Sequence, residues 1–315
     1  MAETLILNFN PALDRTAVVE RYNPYGINKA NRLVILPGGK GANLGRALKT
    51  LGYKDFICSG ILGGGIGKIM KELLDKEEIK NDYFWISDET RIAYATYEES
   101  SGIGMITNEQ GPKVTEEEMD RCINFIKDKY LDSIKRVVLS GGAPPSISPE
   151  KIKSLLGVFK AKGKEVFIDT SGEILKQCAN LGPFCIKINE DELRDAFKVD
   201  IEDREILKEF YSYLSEIGTV WLFVTRGEKG AILMVKDRLI VGKSRRIYSH
   251  YAIGSGDAFL GGVIYGKILG LDLKEILKLG IACGTANTLE FGACVFKKEE
   301  VERIKGEIMI EESPL

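Results

Sequence analysis

Six short apolar runs recur along the chain: LILNFN (5–10), FICSGIL (56–62), VVLSGG (137–142), VFIDTSG (166–172), CIKIN (185–189) and WLFVTRG (221–227). Each runs into Gly, Ser, Asn or Asp. They are too continuous for half-exposed antiparallel strands and read as strands covered on both faces, as in a parallel sheet. Between them lie helix-period stretches, among them GANLGRALKTLG (41–52), IGKIMKELLDK (66–76), EEEMDRCINFIKDKYLDSI (116–134) and REILKEFYSYLSEIG (204–218). The alternation predicts an α/β fold: a doubly wound, mainly parallel sheet flanked by helices. Ligands of such sheets bind beyond the carboxyl ends of the strands, where the polar residues fall.

Two segments interrupt the alternation. TAVVERYNPYGINKANRLVIL (16–36) and TRIAYATYEESSGIGMIT (90–107) carry β-type pattern and turn signals with no helix inside either. They predict a small separate β-sheet, a lid inserted into one domain that spans residues 1–315, since no repeat, low-complexity tract or Pro/Gly-rich linker divides the chain.

The net charge of −2 offers no general attraction for nucleic acid or an anionic membrane, so an anion must be bound locally. MAETLILNFNPALD has no basic leader and only a five-residue apolar run, which predicts neither a signal peptide nor a spanning helix, and hence a cytoplasmic protein. The six cysteines, Cys58, Cys122, Cys178, Cys185, Cys283 and Cys294, form no CxxC pair, and His250 is the one histidine. That disfavours a zinc site or a disulfide framework and predicts buried reduced thiols.

Three glycine-rich turns could cradle an anion. GGGIGK (63–68) fits neither the dinucleotide nor the Walker A fingerprint, because Lys68, Leu62 and Ile69 occupy required positions, which leaves a tight strand-to-helix turn. PGGKGAN (37–43) opens a helix with bare backbone and a lysine, Lys40, with Asn43 one turn on; alone it is a turn or a ligand contact. Asp14, in NPALD near the end of the first strand, could accept from sugar hydroxyls or be a solvated loop residue. In AIGSGDAFLGG (252–262), Gly254, Ser255 and Gly256 precede an apolar helix with Asp257 at its mouth. A helix N-terminus lined by small residues binds a phosphoryl group, and a carboxylate there can take the proton of an attacking hydroxyl; the same aspartate could instead cap the helix.

PGGKGAN together with AIGSGDAFLGG resembles the paired signatures of the PfkB, or ribokinase-like, carbohydrate kinases. NPALD, NR (31–32), SGGAPP (140–145), DTSG (169–172), KINEDE (187–192) and VTRGEKGA (224–231) follow in the family's order. The pattern is most similar to the branch of 1-phosphofructokinases and tagatose-6-phosphate kinases. The resemblance implies Asp257 as catalytic base and the amides of Gly254, Ser255 and Gly256 as an anion hole. It implies Asp14, Gly39 and Asn43 on substrate hydroxyls, and Arg32, Lys40 and Arg91 on the phosphate the substrate already carries. Asn189 and Glu192 would organise Mg²⁺ and the nucleotide phosphates through water. Lys187, Thr225 and Gly227 would lie on the nucleotide side, with Asn287 in the helix bordering adenine. ATP and Mg²⁺ are the implied co-substrate and metal, and a homodimer through the lid is the assembly the family suggests.

The chain departs from the pattern at Ser255, where alanine is commoner, at SGGAPP and IKINEDEL, and in a lengthened segment EESSGIGMITNEQGP (98–112). The expected reaction is phosphorylation of a phosphorylated ketohexose, fructose 1-phosphate first. Tagatose 6-phosphate, fructose 6-phosphate, an unphosphorylated sugar or nucleoside, and a catalytically silent sensor are the alternatives.

Overall fold

The computed structural model describes residues 2–102, 104–244 and 251–315. His250 lies outside them, as does Ile103 within the second lid segment. In chain order the elements are β1 (Thr4–Asn8), β2 (Ala12–Val19), β3 (Arg32–Gly38), α1 (Lys40–Leu51), β4 (Phe56–Gly63), α2 (Gly64–Lys76), β5 (Phe84–Ile86), β6 (Arg91–Glu98) and β7 (Gly104–Asn108). There follow α3 (Glu116–Tyr130), β8 (Arg136–Ser140), α4 (Pro149–Ala161), β9 (Glu165–Asp169), α5 (Gly172–Ala179), β10 (Cys185–Asn189), α6 (Glu190–Phe197), α7 (Arg204–Glu216) and β11 (Trp221–Thr225). The chain ends with β12 (Ala231–Val235), β13 (Arg238–Lys243), α8 (Ser255–Ile268), α9 (Leu273–Ala286), α10 (Lys298–Lys305) and β14 (Met309–Pro314).

Ten strands form one sheet in the order β14-β13-β12-β11-β10-β9-β8-β1-β4-β5. The seven from β11 to β5 are parallel, and β12, β13 and β14 add an antiparallel edge. Successive residues of the six apolar runs go into opposite cores. Leu5 and Leu7 join Val137, Ile168 and the helices α3, α4, α5 and α7 on one face, whereas Ile6 joins Val138, Phe167 and Phe223 under α1, α8 and α9 on the other. Burial on both faces is what removes alternation from the sequence.

The order reverses between β1 and β8, and there the carboxyl ends line up: Asn8 follows the Leu7–Leu139 pair, Ser140 pairs Asp169, and Asn189 pairs Thr225. This is the crevice in which such sheets bind ligands.

The lid is a separate four-stranded sheet, β3-β2-β6-β7. It starts earlier than the sequence suggested. β2 begins at Ala12, so Asp14 sits on a lid strand, paired with Leu36 and Ala93, and not at the end of β1. Only three residues, 9–11, separate β1 from β2, too short a turn to mark in the sequence where one strand ends and the next begins.

The GGGIGK turn (63–68) is structural. Gly64 opens α2, and the carboxylate of Glu89 accepts from the Ile66 amide at 2.5 Å, occupying the helix mouth that an anion would need. The six cysteines are buried and unpaired, and burial pushes the Cys58 and Cys122 thiols up to about 12.

Candidate active site

Asp257 is the third residue of α8 and only 5% exposed. It does not cap the helix. The N-cap is Gly254, which makes no side-chain bond, while the Asp257 carboxylate accepts from Asn43 Nδ2 at 2.9 Å. Asn43 reaches it from α1, whose N-cap is Gly39. The two helices can pack this closely because Gly261 faces Ala47, where a Cβ would come within 2.8 Å of the alanine methyl. Arg46, almost fully buried on α1, fixes the arrangement: it donates to Asn43 Oδ1 at 3.1 Å, to the carbonyls of Ala293 and Pro37, and to Glu77. Sequence reading passed over Arg46, since an arginine on a helix gives no sign of facing inward.

Backbone at the head of α8 is held bare for steric reasons. Gly254 has φ +84°, and a Cβ there would fall 2.9 Å from the Ala293 Cα. At Gly256 a Cβ would stand 2.6 Å from the Lys187 ammonium, so the glycine lets that charge approach the helix mouth. The Ser255 amide donates to Ala252 O at 3.2 Å, leaving the Gly256 and Asp257 amides as the donors without an intrahelical acceptor. Asn287 supports this loop: it is fully buried, donates to Ile253 O and Ser255 Oγ, and accepts from the Cys294 amide. Its side chain is therefore spent on the loop, and the α9 residues at the cavity wall are Ile281, Gly284 and Thr285.

That cavity, about 470 Å³, is lined by Lys187, Asn189, Thr225 and Gly227 on one side and Ser255 and Gly256 on the other. Asn189 and Glu192 form a reciprocal capping box on α6, each side chain accepting from the other's amide at 2.8 Å. The second carboxylate oxygen of Glu192 stays free to face Lys40 Nζ, 3.9 Å away.

Asp169 is a charge centre that sequence reading did not single out, although DTSG was in view. It is wholly buried and accepts from Lys40 at 2.7 Å and from Lys187 at 3.3 Å. Burial raises its carboxyl, but the ammonium groups of Lys187 and Lys40 outweigh that and hold it below the ordinary value. Burial pulls Lys40 down, and Asp169, Asp257 and Glu192 more than offset it, so Lys40 is raised. Burial, with Asp169 adding repulsion against the nearby cations, pushes Asp257 up to about 6. At the neighbouring carboxyl ends of β1, β8 and β9, Asn8 Nδ2, Ser140 Oγ, Asp169 Oδ2 and Thr170 Oγ1 are buried without partners among the described residues, polar atoms suited to a ligand's hydroxyls or to water.

The three cations expected on one phosphate are not brought together. Lys40 turns to Asp169. Arg91 and Arg32 share the lid face of Asp14, but their partners on β2, Ala12 and Val18, are six residues apart, about 20 Å at a strand's rise. The half-buried Arg91 donates to the carbonyls of Asn10 and Glu109 and lies beside Asp14, whose carboxyl burial pushes up to about 6 against the pull of Arg46 and Arg91. Arg32 is exposed and rests 4.9 Å over the ring of Phe291.

The sequence profile of the pfkB family carbohydrate kinases matches residues 8–300. The chain belongs to the pfkB family. It is 30% identical over 310 residues to a 1-phosphofructokinase of Borreliella burgdorferi, covering 97% of both chains. It is 28% identical to a tagatose-6-phosphate kinase of Staphylococcus epidermidis, over 91% of this chain and 92% of the relative. Phosphofructokinase-2 of Escherichia coli superposes with a TM-score of 0.88 at 23% identity over 97% of this chain and 99% of that one, a likeness of fold. A possible 1-phosphofructokinase of Thermotoga maritima gives 0.87 at 25% identity, over 98% and 99%.

As a pfkB kinase the protein transfers phosphate from ATP, with Mg²⁺, to a hydroxyl. The site suits that donor and metal. Among the described residues no three His, Cys, Asp or Glu side chains are placed to hold a metal ion, and Glu192, 3.9 Å from Lys40, brings one carboxylate to the cationic end of the site. Mg²⁺ keeps most of its waters and binds chiefly through substrate phosphates, so one carboxylate reached through water is a fitting donor set. No described helix is long and apolar enough to cross a membrane.

Proposed function

We propose that this kinase phosphorylates a ketohexose that already carries a phosphate, with fructose 1-phosphate as the first candidate. The observation that carries the reading is the lid face turned to the site, where Arg91 lies beside the Asp14 carboxylate and Arg32 stands farther along the same face. A neutral sugar would have no use for them, and relatives named 1-phosphofructokinase and tagatose-6-phosphate kinase support the same substrate class.

In this reading Asp257 accepts the proton of the substrate's primary hydroxyl as its oxygen bonds to the γ-phosphorus of ATP and the bond to ADP breaks. Asn43 aims the carboxylate, and a base near 6 is ionised at neutral pH yet basic enough to help. The amides of Gly256 and Asp257, with Gly254 and Ser255 shaping the turn, stabilise charge on the transferring group. Lys40 acts here with Lys187 and not on the sugar's phosphate, because Asp169 draws both ammonium groups to the point between Asp257 and Glu192. Mg²⁺, when bound, neutralises charge on the nucleotide phosphates, and Glu192 would hold it through water. Asp14, Gly39 and Asn43 face the sugar, Arg91 its phosphate, and Asn189, Thr225 and Gly227 the nucleotide.

The outer lid face supports a homodimer. Leu33, Ile35, Tyr94 and Met105 are exposed there, on the side opposite Asp14, and a second copy is the occupant proposed.

A coupled assay over fructose 1-phosphate, fructose 6-phosphate, tagatose 6-phosphate, fructose and ribose tests the substrate class. The highest kcat/KM should fall to a phosphorylated ketose. Preference for fructose or ribose would replace the reading with a plain sugar kinase.

A further inference from the structure

Tyr251 stands three residues before the N-cap of α8, 3% exposed, and its contacts run in two directions. Towards the lid, its hydroxyl shares a 3.3 Å hydrogen bond with Thr16 Oγ1 on β2, and its ring meets Tyr97 of β6 at 5.2 Å. Towards the main domain, the ring meets Phe291 at 5.7 Å, and the backbone amide donates to Thr288 O. Phe291 in turn carries Arg32 of β3. Residues 287–294 also grip the phosphate-binding turn directly, through Asn287 on Ile253 and Ser255 and through the Cys294 thiol on Gly254 O. The turn and segment 287–294 thus form one unit, and Tyr251 with Phe291 is where that unit meets three lid strands.

We infer that Tyr251 is a positioning residue that ties the sugar lid to the phosphate-binding turn of α8, so that a sugar held under the lid improves binding of the nucleotide. Two sites joined by one packed element share a coupling free energy, and the effect is reciprocal. The Thr16–Tyr251 bond is the specific link. Both hydroxyls are buried, so deleting one strands the other, whereas deleting both leaves apolar groups in contact. The inference rests on the lid covering a sugar, as proposed above.

The test is calorimetric titration of a non-hydrolysable ATP analogue, alone and with a saturating sugar substrate, on wild type, Tyr251→Phe, Thr16→Val and the double variant. In wild type the sugar should tighten the analogue by about fivefold or more, the usual floor of such couplings. Each single variant should bind the analogue alone as wild type does but lose most of that enhancement, and kcat should fall while KM for ATP measured without sugar-site saturation changes less. The double variant should be no worse than the singles. Thermal melts that match wild type establish folding, and Thr16→Val approaches the link from the lid side should Tyr251→Phe melt early. Retained enhancement in both single variants overturns the inference, as does a wild type with none. Loss of sugar binding alone, with enhancement intact, also overturns it, because it would make Tyr251 a direct sugar contact. If the wild type turns over only a neutral sugar, the same titration with that sugar still tests the tie, while the substrate proposal fails by itself.

Discussion

At the scale of single residues the site is an exchange of stability for reactivity. Asp257 has a raised folded-state carboxyl, near 6 against 3.8 in the open chain, so folding favours its protonated form, and that contribution disappears as pH rises through 6. At neutral pH the ionised group is a net cost. Asp257→Asn should therefore lower turnover by about 10²–10⁴ with KM little changed, while raising stability at pH 7 to 8 by about 1–3 kcal/mol. Steady-state kinetics and melting curves of the same preparation check both halves. The pH profile follows the same sign: Asp257 must be ionised to accept a proton and Asp14 to accept from hydroxyls, so kcat/KM should fall as pH drops through about 6. A profile flat to pH 5 would remove both from the reaction. Asp169 works in the opposite sense. It neutralises the buried Lys187 ammonium and the part-exposed one of Lys40, and Asp169→Ala should cost about 3–5 kcal/mol in urea unfolding, since both lysines lose their shared partner and Lys187 is left buried. Asp257 was legible in the sequence because glycines surround it. Asp169 and Arg46 were not, because partners on other strands and helices, Lys40 129 residues from Asp169 and Ala293 247 residues from Arg46 among them, leave no local trace.

At the scale of elements, six buried parallel strands were readable from continuous apolar runs, and helices such as Gly64–Lys76 from their 3.6-residue period. The antiparallel edge β12, β13, β14 was not: β12 follows β11 with no α-helix between them to mark a new unit, and β14 (MIEESP) is largely exposed and carries little apolar pattern. The lid was readable as two β segments, but its register was not, and the register decides which arginine can act. Arg91 neighbours Asp14, whereas Arg32 sits about 20 Å from Arg91 along β2. Arg91→Ala should raise KM for the phosphorylated sugar about tenfold to a hundredfold and leave KM for ATP alone, the loss of one charge-assisted contact. Arg32→Ala should do less on the same assay, because its guanidinium is placed on Phe291. Equal effects of the two would mean that the lid strands approach more closely than the register sets.

At the scale of the whole molecule, a mainly parallel sheet places its switch point between β1 and β8, and two helix N-termini, α1 and α8, converge over it with a lid opposite. The motifs legible in sequence are the ones that serve these helix mouths, whereas composition gave no attraction for nucleic acid and disfavoured a zinc site but could not name a substrate. Exposed Leu33, Ile35, Tyr94 and Met105 on the lid predict association through that face. Sedimentation of Ile35→Lys should show smaller particles than wild type, and an unchanged distribution would place any interface elsewhere. The central claim is that Asp257 directs phosphoryl transfer from ATP to a primary hydroxyl of a ketose phosphate. Phosphorus NMR of the products from fructose 1-phosphate, Mg²⁺ and ATP tests it most directly. Wild type should give ADP and a sugar carrying two phosphomonoester signals, the new one coupled to a methylene, and Asp257→Asn should give almost none in the same time. Release of inorganic phosphate alone, or equal yields from the two proteins, would contradict it.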